Sequence, residues 1–285
     1  MKQYATEQIR NVALLGHGGT GKTSLAEAAL FSSGATTRLG KVEDGTTASD
    51  FEPDETKRKI SLSLALVPVE WDGHKINLID TPGYADFAGE VISGLYAADL
   101  ALIVVDAVSG VQVGTEQAWL RADRRGLPRI IFVNRMDREN ANFDQAVEQL
   151  QQRYGKKVAP LAIPIGAQEA FSGVVNLIEG KAYTGDKGTP GDVPADMADA
   201  VAAAREQLVE AVCEADDELL NKYLEGGEIS SEELTGALRK GIAQGIVYPV
   251  LAGSSTKNIG VTKLLDALVA DCPSPADVAA RTAAL

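Results

Sequence analysis

Cysteine is nearly absent. The 285 residues include two, Cys213 and Cys272, far apart and outside any CxxC pair. That excludes a disulfide framework and a thiolate zinc site, and it fits a reducing, cytoplasmic compartment. No apolar run approaches the roughly 20 residues of a membrane span, so no membrane segment is expected. The opening stretch Met1-Lys2-Gln3-Tyr4-Ala5-Thr6-Glu7 lacks the apolar core of a secretion signal. Basic charge is also short: 27 Lys and Arg face 40 Asp and Glu, a formal charge of −13. A chain that grips nucleic acid with its whole surface is usually basic. Neither nonspecific RNA binding nor sequence-specific DNA binding is expected, and any RNA contact would be local or made by a part outside this chain. Internal repeats and low-complexity tracts are missing as well. What remains is an ordinary globular composition, 45% apolar and 24% charged, long enough for one large domain or two modest ones. The acid is uneven. Residues 181–240 hold 14 acidic and 6 basic side chains, either a solvated helical surface or a face for a basic partner.

Strands and helices alternate along most of the chain. Val12 to Leu15 is a short apolar run that stops at a glycine cluster, and Lys22 to Phe31 then shows helical spacing. Residues 35–60 have no clean period; a loop of that length is functional or disordered. Ile60–Val69 and Lys75–Ile79 read as two strands joined by the tight turn Asp72-Gly73, an antiparallel edge. Leu100–Val105, Arg129–Val133 and Val247–Ala252 are three further apolar runs. The pattern predicts an α/β fold with a mostly parallel sheet covered by helices on both faces. The stretch from about 166 to 245 breaks it. Gly173-Val174-Val175-Asn176-Leu177, a Gly/Pro/Asp-rich loop from Gly185 to Pro194 and Ala/Glu-rich helical sequence read as an inserted α+β subdomain. The expected division is a core of 1–165 and 246–285 around an insertion of 166–245.

Gly16-His17-Gly18-Gly19-Thr20-Gly21-Lys22-Thr23 fits the phosphate-loop pattern G-x-x-x-x-G-K-[ST] without deviation. Glycines let successive N–H groups converge on phosphates, and Lys22 places a point charge on the β/γ oxygens. Thr23 offers a hydroxyl to Mg²⁺, and the helix start adds its positive dipole end. His17 is expected to pack or hydrogen-bond beside the loop rather than act as a base. Asp80-Thr81-Pro82-Gly83 follows the strand Ile76 to Ile79. There a carboxylate can reach Mg²⁺ through a water, and Gly83 can present a bare N–H to a γ-phosphate. Asn134-Arg135-Met136-Asp137 follows another strand and resembles the guanine-reading N-K-x-D motif, with arginine in place of lysine. Asp137 accepts from the N1–H and the exocyclic amine, which adenine does not offer in that geometry. Asn134 can reach the guanine N7 and brace neighbouring backbone, and Arg135 can stack on the ring. Gly253-Ser254-Ser255 can supply a backbone N–H to the guanine O6. All these motifs fall at strand C-termini, where open α/β sheets bind ligands.

With these motifs in place, the chain resembles the GTPase domain of translation elongation factor G, and within it the elongation factor G-like paralogues. The similarity extends to Gly110-Val111-Gln112, Pro128-Arg129-Ile130, Met136-Asp137-Arg138, Ala141-Asn142-Phe143, Gly173-Val174-Val175, Pro249-Val250-Leu251 and Pro273-Ser274-Pro275, over about residues 8–275. The resemblance implies a P-loop NTPase fold with a Ras-like core plus the extra subdomain of that family. It also implies GTP/GDP and Mg²⁺ as ligands, hydrolysis to GDP and phosphate, and the ribosome as partner, through ribosomal RNA and the stalk protein. Whole members continue past the Pro273-Ser274-Pro275 signal, so this chain is expected to be the GTPase end of a longer protein.

Three departures from the family pattern stand out. Tyr84 follows Gly83 where the family has a histidine that orients the attacking water, so hydrolysis is expected to be slow or to use another water geometry. Arg58-Lys59-Ile60-Ser61 stands for R-G-I-T. Ser61 thus falls on the threonine that binds Mg²⁺, and Lys59 replaces a glycine, which makes the loop less free in φ/ψ. Gly19 replaces an aspartate that helps hold a monovalent cation, so that cation is not expected here. The catalytic set is Lys22, Gly83 and Tyr84, and the metal set is Thr23, Ser61 and Asp80. No arginine stands out as a finger in cis, so activation in trans is expected. Two alternatives stay open: a GTP-binding switch or interaction module with little turnover, and an ATP-using P-loop enzyme.

Overall fold

The computed structural model describes residues 2–278. Seven strands form the main sheet, in the order β2-β3-β1-β4-β5-β11-β6. They are β1 (Ile9–Leu15), β2 (Ala65–Trp71), β3 (His74–Asp80), β4 (Leu100–Asp106), β5 (Arg129–Asn134), β6 (Val158–Pro160) and β11 (Tyr248–Ala252). All neighbours are parallel except β2 against β3 at the edge. Asp72 and Gly73, both at positive φ, turn that hairpin in the geometry that matches strand twist.

Alternation along β1 assigns the two faces. Ala13 and Leu15 join Val91 and Leu95 of α3 (Ala88–Ala97) and Ala118 and Ala122 of α4 (Val113–Arg124). Val12 and Leu14 join Leu25 and Ala28 of α1 (Lys22–Ser32) and Leu264 and Leu268 of α9 (Val261–Asp271). β4 and β5 are buried along their whole length, as inner parallel strands covered on both sides must be. The fold is therefore a mixed α/β architecture, a mostly parallel sheet covered by helices on both faces, with an added antiparallel unit.

That unit is a second sheet, β10-β9-β8-β7, made of β7 (Ala162–Ile165), β8 (Gly173–Asn176), β9 (Lys181–Thr184) and β10 (Thr189–Gly191). It is accompanied by α6 (Ala198–Cys213), α7 (Asp217–Leu224) and α8 (Ser231–Gln244). Capping is explicit in the acidic part: Asp216 caps α7, and Ser230 with Glu233 forms a capping box on α8. Cys213 and Cys272 are free and buried. Among the described residues no helix is long and apolar enough to cross a membrane.

Three expectations are corrected. The strand read at Ile60–Val69 begins only at Ala65, because carboxylates take the donors that a ladder would use. Glu55 Oε1 accepts from the N–H groups of Leu62 and Ser63, and Glu90 Oε2 from that of Leu64. The aperiodic stretch 35–60 holds a short helix, α2 (Pro53–Arg58), with proline in its first turn. The Gly/Pro-rich segment from Gly185 contains the edge strand β10, whose Pro190 is tolerated because an edge needs no second ladder. The remaining helix, α5 (Phe143–Tyr154), leads to β6, the far edge of the main sheet, which periodicity alone did not mark.

Candidate nucleotide-binding site

Every motif converges at the C-terminal ends of β1, β3, β5 and β11. The phosphate loop, residues 16–23, joins β1 to α1. Gly21 caps α1 at φ 88°, and a Cβ there would sit 2.5 Å from Asn134 Nδ2. The loop thus closes on the guanine motif because position 21 is bare. Lys22 is buried, with Nζ donating to the carbonyls of Gly16 (3.1 Å) and His17 (2.9 Å). Burial lowers its ammonium to about 8, against the pull of Asp80. Thr20 Oγ1 donates back to His17 O at 3.1 Å. His17 Nδ1 accepts from Gly114 N–H at the start of α4, so its ring braces the loop from behind.

Asp80 is buried at the end of β3. Its Oδ2 accepts from Thr23 Oγ1 at 2.7 Å, and its Oδ1 is buried with no hydrogen-bond partner. Burial raises this carboxyl to about 6, against the Thr23 hydrogen bond and the Lys22 charge. Ser61 Oγ stands 3.0 Å from Thr23 Oγ1 and donates to Asp50 Oδ1 at 2.8 Å. Asp50 is itself raised by burial. Sequence reading named Ser61 but not the carboxylates that hold its segment: Asp50, Glu55, and Glu27, whose Oε1 accepts from Ala48 N–H at 2.6 Å. Their partners lie 7 to 21 residues away, so no local pattern shows them.

Thr81 is buried and donates to Leu14 O at 2.6 Å, which fixes the start of the next loop. Pro82 helps line a cavity of about 300 Å³ between that loop and α4. Gly83 lies on the phosphate loop. A Cβ there would stand 2.5 Å from Lys22 Nζ and 2.7 Å from Gly18 Cα, so no other residue fits without displacement. Tyr84 is 45% exposed, and a Cβ added at Gly18 would touch the hydroxyl end of its ring at 3.0 Å. A cleft of about 150 Å³ is lined by Gly18, Gly19, Thr23, Ser61, Gly83 and Tyr84 together with Lys22, Lys59 and Arg135.

On the base side, Asn134 is fully buried. Its Nδ2 donates to Thr20 O at 2.9 Å and to Ser255 Oγ at 3.1 Å, and its Oδ1 accepts from Ser255 N–H at 2.9 Å. Asp137 accepts from Ser254 Oγ at 2.6 Å and from Thr256 Oγ1 at 3.3 Å. Each carboxylate oxygen retains further acceptor capacity. Arg135, at φ 66°, pairs with Asp106 at 2.8 Å, and Asp106 also caps the N–H groups of Val108 and Ser109. Met136 is fully buried, a packing residue inside the motif. The N–H groups of Gly253, Ser254 and Ser255 already have acceptors in Val133 O, Ile259 O and Asn134 Oδ1. This stretch meets the guanine motif through the hydroxyls of Ser254 and Ser255, the Ser255 N–H and the Gly253 carbonyl, which accepts from Met136 N–H.

The model of the elongation factor Tu GTP binding domain matches residues 7–274. The chain belongs to that family. It is a GTP-binding domain of the elongation-factor type, and the family's ligands are GTP and GDP. A solved protein of Thermus thermophilus superposes with a TM-score of 0.89 at 38% identity, over 95% of this chain and 41% of that one. The chain thus spans less than half the length of that relative.

Proposed function

We propose that this chain is the GTPase domain of a translational GTPase that acts on the ribosome and hydrolyses GTP to GDP and phosphate. One observation carries the reading: Asp137 and the phosphate loop are locked into one frame by Asn134, which bonds to Thr20 on one side and Ser255 on the other. Base recognition and phosphate binding are thereby held at a fixed spacing. In the reaction, water attacks the γ-phosphorus in line and the bond to the β–γ bridging oxygen breaks. GDP leaves with that electron pair, and the water proton passes to phosphate. Lys22 and the loop N–H groups hold the phosphate oxygens where charge develops. Tyr84, whose ring lies beside Gly18, is the residue whose hydroxyl would orient the water.

The donor set fits Mg²⁺. A buried carboxylate oxygen without a partner on Asp80 and two adjacent hydroxyls, Thr23 and Ser61, are hard oxygen ligands within one small space. Bound there, Mg²⁺ would neutralise phosphate charge, with Thr23 and Ser61 as direct ligands and Asp80 acting through water. The ribosome, through its RNA and its stalk protein, is the partner that the family supports, and the cytoplasm is the matching compartment. The alternative, a GTP-binding switch with little turnover, is favoured only by tyrosine at position 84.

Single-turnover hydrolysis with and without ribosomes tests the reading, using the whole protein. Strong stimulation by ribosomes is expected. Tight GTP binding with no stimulation would leave the switch reading in its place.

A further inference from the structure

The cleft over the phosphate loop is lined by three cationic residues, Lys22, Lys59 and Arg135, and by two acidic ones, Glu43 and Asp50. Two of the cations are committed within the protein. Lys22 donates to the carbonyls of Gly16 and His17, and Arg135 is paired with Asp106. Lys59 lines the same cleft, and its side chain makes no hydrogen bond or ion pair with another described residue. Its backbone is left-handed, φ 58° and ψ 37°, at the residue that ends α2. A side chain longer than hydrogen is disfavoured there, and non-glycine residues in this region cluster where a site uses the strain. Across the cleft Gly19 points no side chain at the space: a Cβ built on it meets nothing within 4 Å. Ser61, two residues on, is anchored beside Thr23, and Glu55 holds the backbone that follows it. The attachment point of the lysine is therefore fixed relative to the phosphate loop.

We propose that Lys59 is a finger in cis, a catalytic cation whose ammonium meets the γ-phosphoryl oxygens as charge builds on them. It is supplied by the chain's own loop, whereas the sequence alone pointed to activation entirely in trans. The inference rests on the reading of this site as one that hydrolyses GTP. Lys59 exchanges no proton in the step; it contributes charge to the loose transition state, where a preorganised cation has its greatest effect.

The whole chain is tested as wild type and as Lys59→Gly, Lys59→Met and Lys59→Arg. Glycine suits the backbone geometry, so the fold should survive that change, and methionine keeps the length without the charge. Two readouts are taken besides binding of a fluorescent GDP: single-turnover hydrolysis, and retention of aluminium fluoride on the GDP-bound protein as a mimic of the transferring group. Lys59→Gly and Lys59→Met should bind GDP within about threefold of wild type but lose about a hundredfold in rate, along with aluminium fluoride retention. Lys59→Arg should keep both. Wild-type behaviour in the glycine and methionine variants overturns the proposal, as does failure of the wild type itself to retain aluminium fluoride. If retention still separates the variants while ribosomes fail to stimulate turnover, the ribosomal reading falls and the role of Lys59 stands.

Discussion

Asn134 and Ser255 exchange hydrogen bonds in both directions, Ser255 N–H to Asn134 Oδ1 at 2.9 Å and Asn134 Nδ2 to Ser255 Oγ at 3.1 Å. The same amide also reaches Thr20 O, so one buried side chain joins β5, the segment after β11 and the phosphate loop. Replacement of Asn134 by alanine would leave buried partners unsatisfied, at a cost of about 2–3 kcal/mol. Urea unfolding should show that loss, with GDP affinity down by tenfold or more at about 1.4 kcal/mol per decade. Ser254→Ala removes one donor to Asp137 and the acceptor of the Lys257 N–H, and should cost about 1 kcal/mol in nucleotide binding with a smaller loss of stability than Asn134→Ala. Equal effects from the two variants would contradict this division.

Asp80 is expected to make stability, and the proposed Mg²⁺ binding, depend on pH. Its carboxyl is raised by burial from 3.8 to about 6. Between those values the folded protein binds more protons than the unfolded chain, so stability without nucleotide falls as pH rises through that window. A cation competes with the same proton. Mg²⁺ affinity of the GDP-bound chain should therefore drop as pH falls below about 6, by up to about tenfold per unit. Lys22, lowered to about 8, stays protonated across this range. Calorimetric Mg²⁺ titrations at pH 5 and pH 7 check the point, with Asp80→Asn as the control that should flatten the dependence. A flat profile in the wild type would refute it.

Tyr84 presents the hydroxyl end of its ring to Gly18, beside the phosphate loop. A phenol hydroxyl has a different reach from an imidazole nitrogen. Tyr84→His in the full-length protein should therefore hydrolyse GTP faster on ribosomes, by about tenfold or more, with unchanged nucleotide affinity. Rapid-quench assays measure this. An unchanged or slower rate would show that tyrosine is the better group in this setting.

Much of the site was legible because its chemistry is written in contiguous residues. The phosphate loop, Asp80 to Gly83 and Asn134 to Asp137 each combine a strand end with a residue type that the backbone geometry or the ligand requires. Elements too short for periodicity were not legible. Helix α2 has six residues and β6 has three. Nor were contacts between distant positions. Glu55 and Glu90 take the N–H groups of residues 62–64, and so delay a strand that hydrophobic pattern alone starts at Ile60. Glu27 holding Ala48 and Asp50 holding Ser61 belong to the same class. The demands on Gly83 and Gly21 were visible only as a preference for glycine. Their cause, the approach of Lys22 Nζ and Asn134 Nδ2, is tertiary.

The most direct measurement of the central claim is the base preference of Asp137→Asn, by competition between guanosine and xanthosine triphosphates on the purified chain. An amide in place of the carboxylate offers a donor where xanthine has a carbonyl and loses the acceptor that the guanine amine needs. The account predicts that the variant reverses the wild-type preference and favours xanthosine triphosphate. Retention of guanosine preference in the variant would contradict it.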